Sequence, residues 1–447
     1  MQIKFLFVIS CFFSFFTFGQ KFATSPFSSN GIGEIGTLDH ATFSGIGNVT
    51  VSSIDSLNLN YFNPSSYSFL ATGQPIFSTG ISYKRSTFSE KDQSFTTGLT
   101  GINHFAMGIP FAKYFGVAFG VKPFSRTGYA IDETVSLGAD SMHYRYLGSG
   151  GINESFGGFS AKVLNYKNNQ LGLGANVGYL FGNFKNERFS NLTSTDDGGI
   201  EISKYQIKSL HYDFGLNYQL TLQKRMKLIL AATYTPEQDL KTKKSHDLYF
   251  SKDVENENLI VDTISSSLES GAFSMPSTMN VGFAFSFRPK VDSTYNKLKI
   301  YQLTLFGSYS SSNWSSYSTN FTSDLNPNFQ NTTKYNVGIE FIPHYNYLDR
   351  SKAIGYFNRV RYRAGYQYAT LPIERLSKQL TDAAFTLGLS FPIVSQRSVS
   401  NINIGFTAGN RGNKDVNSLN EKYLGFNFGV SIAPGTADRW FRKYKID

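Results

Sequence analysis

The chain has 447 residues, with 42 Lys and Arg against 32 Asp and Glu, a net charge of +10, 16% aromatic residues and only 17% charged ones. An aromatic-rich, charge-poor composition suits strands that pack against something other than water, and no stretch after the first twenty residues reaches 18 apolar positions, which excludes helical membrane spans. The excess Lys and Arg are scattered through turns and loops with no basic helix or stacked aromatic platform, so no nucleic-acid partner is expected.

Residues 1–19 open the chain as "MQIKFLFVISCFFSFFTFG". One basic residue, Lys4, precedes an apolar run from Phe5 to Phe18 that is too short to span a bilayer comfortably. We read it as a secretory signal peptide cleaved after Gly19. "VISC", ending at Cys11, imitates a lipoprotein processing site, but the apolar run continues past it. Cys11 is the one cysteine, so the mature chain has no disulfide, no thiolate metal site and no thiol nucleophile.

Next comes "GIGEIG", residues 31–36, with the G-x-G-x-x-G spacing of a dinucleotide site. That motif works only after a buried strand and at the start of a helix. Here "KFATSPFSSN" precedes it and "TLDHATFSGIGNVTVSS" follows, neither with the required pattern. The glycines therefore read as backbone that must fold tightly: Gly31, Gly33, Gly36, Gly45 and Gly47. At Asn63 and Pro64 a turn is expected, because Asn caps its own backbone and Pro fixes φ.

From about residue 74 the pattern changes to a period of two. Leu171, Leu173, Ala175, Val177, Tyr179 and Phe181 share one face, opposite Gly172, Gly174, Asn176 and Gly178. The alternation recurs from Phe115 to Val121, from Val281 to Phe287, from Phe385 to Phe391, from Ile402 to Ala408 and from Leu424 to Ile432. Large apolar residues on one side and small polar ones on the other describe lipid outside and a polar lumen inside. We count about fourteen strands over residues 74–433, an all-β transmembrane antiparallel barrel in the outer membrane.

Short turns are expected at "PFAKY", "NYKNNQ", "LQKRMK" and "SQRSVS", and medium ones at "RPKVDSTYNK" and "NYLDRSKAIGY". Longer polar loops are expected at "KRSTFSEKDQS", "DETVSLGAD", "NERFSNLTSTDDGGIEIS" and "SSYSTNFTSDLNPNFQNTTK", the longest running from about Glu237 to Ser270. Short turns facing the periplasm and long loops facing outward place both termini in the periplasm. A barrel of about fourteen strands needs a filled lumen if it is not to leak. The one uncommitted segment long enough is residues 20–73, an N-terminal hatch.

"GIGNVTVSSIDSLNLNYFNPSSYSFL" resembles the hatch of the long-chain fatty-acid transporter (FadL-type) family of outer-membrane barrels, and "EKYLGFNFGVSIAPGTADRWFRKYKID" is similar to closing segments in the Bacteroidetes branch of such barrels. The family's glycine pair and Asn-Pro-small turn fall on Gly45, Gly47, Asn63, Pro64 and Ser65, with Ser where Ala is commoner. "MPSTMNVGFAFSF" and "RYRAGYQYATLPI" are similar to two of its strand openings. The resemblance implies a monomer that passively takes up long-chain fatty acids or other hydrophobic compounds. The ligand would enter at the outer mouth and leave through a gap in the wall after the hatch shifts.

Loop aromatics Trp314, Tyr317 and Phe321 are candidates for the ligand mouth, with membrane-interface aromatics the ordinary alternative. The tail, residues 434–447, carries Arg439, Arg442, Lys443 and Lys445 and departs from the family's aromatic terminus. It reads as a periplasmic tail, or as a contact for a periplasmic partner. His40, His104, His143, His211, His246 and His344 form no metal or catalytic spacing, and "STDDGG" lacks a calcium-loop pattern. No enzyme activity, cofactor or metal is expected. Two rival roles remain open: a barrel that binds secreted or periplasmic proteins in type IX secretion, and an unselective porin.

Overall fold

The protein is described from a computed structural model over residues 25–36, 39–90, 93–111, 113–138, 140–195, 197–223, 225–254, 260–289, 300–322, 324, 326–346, 355–394, 399–413 and 419–433. The stretch 1–19 expected to be a signal peptide, with its expected cleavage point, and the basic tail at 434–447 lie outside the described residues.

Fourteen antiparallel strands close into a barrel. They are β1 (Ile76–Glu90), β2 (Gln93–Ile109), β3 (Phe115–Leu137), β4 (Asp140–Tyr166), β5 (Asn169–Leu192) and β6 (Gly198–Gln223). Then come β7 (Met226–Thr235 and Gln238–Ser251), β8 (Ile260–Met275 and Thr278–Phe287), β9 (Gln302–Ser312) and β10 (Thr332–Ile342). The last four are β11 (Arg361–Arg375), β12 (Lys378–Val394), β13 (Val399–Asn413) and β14 (Leu419–Ile432). β14 pairs with β1 from Leu419 opposite Glu90 to Ile432 opposite Phe77, which closes the ring.

β7 and β8 each break once, at Pro236 and at Pro276, and the breaks lie side by side: Gln238 faces Met275 and Thr235 faces Thr278. Proline supplies no ladder N–H, so each strand restarts beyond it. Both pieces of β7 still pair with β6.

The alternation fixes which face meets lipid. Leu173, Val177, Tyr179, Phe119, Val121, Phe283, Phe385, Phe406, Leu424 and Phe426 are exposed on the outside. Asn176, Asn217, Ser160, Thr386 and Asn403, on the inside, are buried. Among the described residues no helix is long and apolar enough to cross a membrane.

Most of the expected long loops are strand. "KRSTFSEKDQS" and "DETVSLGAD" run almost wholly within β1 to β4, and residues 237–270 are largely β7 and β8. β4 alone has 27 residues. At about 3.3 Å per residue and a tilt near 40° it spans roughly 70 Å, against an apolar band about 25 Å tall. Outside that band the outer face of a strand meets water instead of lipid, so the apolar period fades while backbone pairing continues. The connection between β9 and β10 does stay a loop, apart from a turn of helix at Trp314–Ser316 and the two-residue strand Ser318–Thr319.

Residues 25–36 and 39–75 pack against inward-facing side chains of the wall. They contain a 3-10 turn at Pro26–Ser29, a two-residue strand Glu34–Ile35, a helical turn Ala41–Ser44 and a 3-10 helix Pro64–Phe69.

Candidate functional site

The glycine pair of the N-terminal segment lies flat on glycines of the wall. A Cβ on Gly45 would come within 2.5 Å of the Gly388 Cα, and one on Gly47 within 2.5 Å of the Val337 carbonyl oxygen. Gly47 also has φ +68°, a left-handed conformation that side chains resist. Its N–H donates to Thr386 Oγ1 at 2.9 Å. Asn63 caps the helix Pro64–Phe69: its Oδ1 accepts from Ser65 N at 3.1 Å and from Ser65 Oγ at 2.6 Å, while its Nδ2 donates to the Val51 carbonyl at 2.7 Å. Asn217 Nδ2 and Ser160 Oγ of the wall donate to the Ser65 carbonyl at 3.0 and 2.9 Å. The small inward residues of the wall thus mark where this segment lies against it.

The wall is incomplete at one place. β2 pairs with β3 only through residues 105–109 opposite 117–121, whereas β3 follows β4 along its whole length. Pro123 stands on the edge so exposed, beside a bulge at Phe124. Above it the segment 25–36 takes the place of β2. Glu34 and Ile35 pair with Arg126 and Ser125, Gly36 N donates to the Phe124 carbonyl at 3.1 Å, and Ser25 N donates to the Gly128 carbonyl at 2.6 Å. Gly31, Gly33 and Gly36 of "GIGEIG" all have positive φ, which this tight path requires.

A cavity of about 580 Å³ adjoins this opening. It is lined by residues 30–36, Phe124, Met275, Trp314 and Phe329, and also by Pro236 and Pro276 at the strand breaks. Behind it Tyr317 and Phe321 are buried in an aromatic cluster with Phe184, Tyr205 and Phe273. Ring centroids lie 5.0 Å apart for Tyr317 and Phe329, and 5.5 Å for Phe273 and Phe321. Tyr205 OH donates to Asp324 at 2.8 Å, which ties the loop to β6. Trp314, Tyr317 and Phe321 therefore face the interior rather than the lipid.

Several charged groups inside the barrel are paired. Arg411 of β13 binds Glu34, Glu421 at 3.3 Å and Asp382 at 3.5 Å, and Arg361 binds Asp55 at 2.5 Å. Burial alone would raise the Asp55 carboxyl, but the Arg361 guanidinium, with hydrogen bonds from Asn58 and Leu57, holds it below its ordinary range. Glu154, His211 and Asp213 bring their ligand atoms within 4.8 Å of one another. Lys122 Nζ lies 3.2 Å from Glu154 and already supplies positive charge there.

Ser78 Oγ is 2.7 Å from His104 Nε2, and His104 Nδ1 is 2.7 Å from Asn103 Oδ1. All three are buried, and His40 covers the His104 ring with centroids 4.2 Å apart. Burial, with His104 and Arg363 close by, depresses the His40 pKa well below its ordinary value. The trio anchors the segment; it offers no approach to a substrate.

A family model described as BamG matches residues 1–447. The chain belongs to the BamG family. Its fold is that of FadL-type outer-membrane channels. It is similar to a Pseudomonas aeruginosa FadL homologue at TM-score 0.54 and 12% identity, covering 90% of this chain and 99% of that one. The Ralstonia pickettii toluene transporter TbuX matches at TM-score 0.53 and 13% identity, over 88% and 97% of the two chains. The Pseudomonas putida toluene transporter TodX matches at 0.52 and 14%, over 90% and 99%. No curated protein matches the chain.

Within this BamG-family barrel, sequence reasoning missed the wall opening, Arg411 and the aromatic partners Phe184, Tyr205 and Phe273. Pro123 inside an otherwise apolar strand was the signal for the opening. Arg411 carried none, because its partner Glu34 is 377 residues away.

Proposed function

We propose that the protein carries hydrophobic compounds, with long-chain fatty acids as the leading candidates, from the cell exterior into the outer membrane. Residues 20–73 act as its hatch, and both termini face the periplasm. The observation that carries this reading is the juxtaposition of the 580 Å³ cavity with the unpaired stretch between β2 and β3. A ligand entering past Trp314 and Phe329 would meet apolar surface and leave sideways once residues 31–36 move off the β3 edge. An apolar solute gains by this route because lateral exit avoids a return to water. The FadL homologue, TbuX and TodX lend the reading support through fold alone.

The test is equilibrium binding of a radiolabelled long-chain fatty acid to the detergent-purified barrel, with toluene and a short-chain acid as competitors. Saturable binding displaced by toluene but not by the short-chain acid is expected. No binding above detergent background, by a barrel shown to be folded, refutes the proposal.

One observation favours a second reading, a barrel that binds protein partners. The free end of β8 exposes Ile260, Val261, Ile264 and Leu268 at 37, 57, 59 and 77% on both faces of a sheet that rises beyond the apolar band. A two-faced exposed apolar sheet suits a protein contact better than a small ligand.

A further inference from the structure

A second cavity lies on the outside of the barrel, remote from the β2–β3 opening. It measures about 770 Å³ and is floored by Ala383 and Ala408, walled by Phe385, Tyr366 and Leu424, and rimmed by Arg85 and Lys422. Its polarity changes in register rows. The row Leu387, Phe406, Phe426 and Tyr83 is wholly apolar. In the next row Phe385, Ala408 and Leu424 end on Arg85, and in the row beyond, Ala383, Asn410 and Lys422 end on Thr87.

Phe385 is 71% exposed and Leu424 63%, so two large side chains stand out from the wall while the alanines between them leave a trough. Arg85 and Lys422 are both exposed and are diagonal neighbours across the β14–β1 pair, which places them roughly 7–8 Å apart. Neither makes an ion pair among the described residues; the carboxylates of Glu421 and Asp382 point inward, to Lys84 and Arg411. Two like charges on a lipid-facing surface repel one another and cost free energy as the apolar band is approached. An anion between them removes that cost.

We propose that this trough binds one phospholipid of net negative charge from the leaflet at the Glu90 end, its acyl chain over Ala408 and Ala383 and its phosphate, uncompensated by a cationic headgroup, between Arg85 and Lys422. An apolar trough below and a pair of cations above match the two halves of such a molecule. A guanidinium offers a two-pronged contact to phosphate and an ammonium adds a point charge. The proposal depends on the barrel being in a membrane and not on what passes through it.

The experiment is native mass spectrometry of the full barrel released from nanodiscs of equal phosphatidylglycerol and phosphatidylcholine with matched chains. The wild type should retain phosphatidylglycerol at least fivefold over phosphatidylcholine. Arg85→Gln with Lys422→Gln should lower that ratio to near one, and Arg85→Lys with Lys422→Arg should restore it. Ala408→Phe, which fills the trough without changing charge, should reduce total retained lipid. All these side chains face outward, and unchanged strand circular dichroism checks that each variant folds.

Equal retention of the two lipids by the wild type overturns the proposal, as does an unchanged ratio in the double Gln variant. Displacement of the lipid by inorganic phosphate would show a phosphate-only site and also overturns it. A two-chain species that Ala408→Phe abolishes would assign the trough to a second copy instead.

Discussion

Glu34, in the turn that runs along the edge of β3, is ion-paired to Arg411 of β13, on the other side of the wall opening. The turn that covers the opening is therefore fastened across it. Replacing Glu34 by Gln leaves Arg411 with Asp382 and Glu421, so the expected cost is about 1–3 kcal/mol rather than the full penalty of an uncompensated buried charge. Ion conductance in planar bilayers should rise in Glu34→Gln; an unchanged conductance at every voltage refutes the fastening role.

The same pair sets an acid response. Burial acts to raise the Glu34 carboxyl, but the Arg411 guanidinium, the Lys84 ammonium and the hydrogen bond from Arg411 override it and hold the carboxyl below its ordinary range. A depressed carboxylate contributes stability that is present above its unfolded value of about 4.3 and lost as pH falls through the lower folded value. Wild-type conductance should stay flat from about pH 8 to about pH 5 and rise only in stronger acid. Glu34→Gln should show no such rise.

Ile35 and Ser125 are register partners, at the separation strand pairing imposes. The sequence holds one cysteine, Cys11, within the stretch read as a signal peptide. Ile35→Cys with Ser125→Cys, once oxidised, should lock the segment to β3 and abolish uptake of a hydrophobic ligand into liposomes, with full recovery on reduction. Uptake that continues through the oxidised form would place the exit elsewhere.

Two glycines separate conformation from contact. Gly36 has φ +65° but nothing within 4 Å of where a Cβ would stand, whereas Gly47 has φ +68° and wall backbone at 2.5 Å. Gly36→Ala should cost about 1–2 kcal/mol, the left-handed strain alone. Gly47→Ala adds the clash and should cost about 3 kcal/mol or more. Urea unfolding in detergent reads the difference, and equal losses would mean that the wall does not constrain Gly47.

Phe321 is 3% exposed in the aromatic cluster. Phe321→Ala should destabilise by about 3–5 kcal/mol and enlarge the cavity volume available to bulky ligands. Phe357, 70% exposed, is the control: Phe357→Ala should be close to neutral in the same urea titration.

The lipid-facing strands were legible because lipid on one side and polar groups on the other impose a period of two, as from Leu171 to Phe181. Residues 237–270 misled because neither face of "KTKKSHDLYF" is apolar: Lys241 and Lys243 are exposed, while the residues buried on the other face are polar, Thr242 and Lys244, so its pairing leaves no apolar pattern. Asn63 and Pro64 announced a turn through local chemistry, which the cap of Pro64–Phe69 realises. The wall opening was legible only in part: Pro123 marks an edge inside an apolar strand, but how far β2 and β3 stay paired is a property of the pair and not of either sequence. Trp314, Tyr317 and Phe321 sat in a stretch that reads as polar loop, and the burial of the last two depends on Phe273 and Tyr205 of other strands.

Gly47 is bound to Thr386, 339 residues further along, and Glu34 to Arg411, 377 residues further along. A segment synthesised before every strand of the barrel thus acquires its place only when the last strands exist. β14 and β1 cannot seal around an empty space and admit this segment afterwards without reopening an end or the β2–β3 edge. Maturation of the barrel is a matter of order: the early segment waits beside the growing sheet, and the final seam is sewn with it already inside.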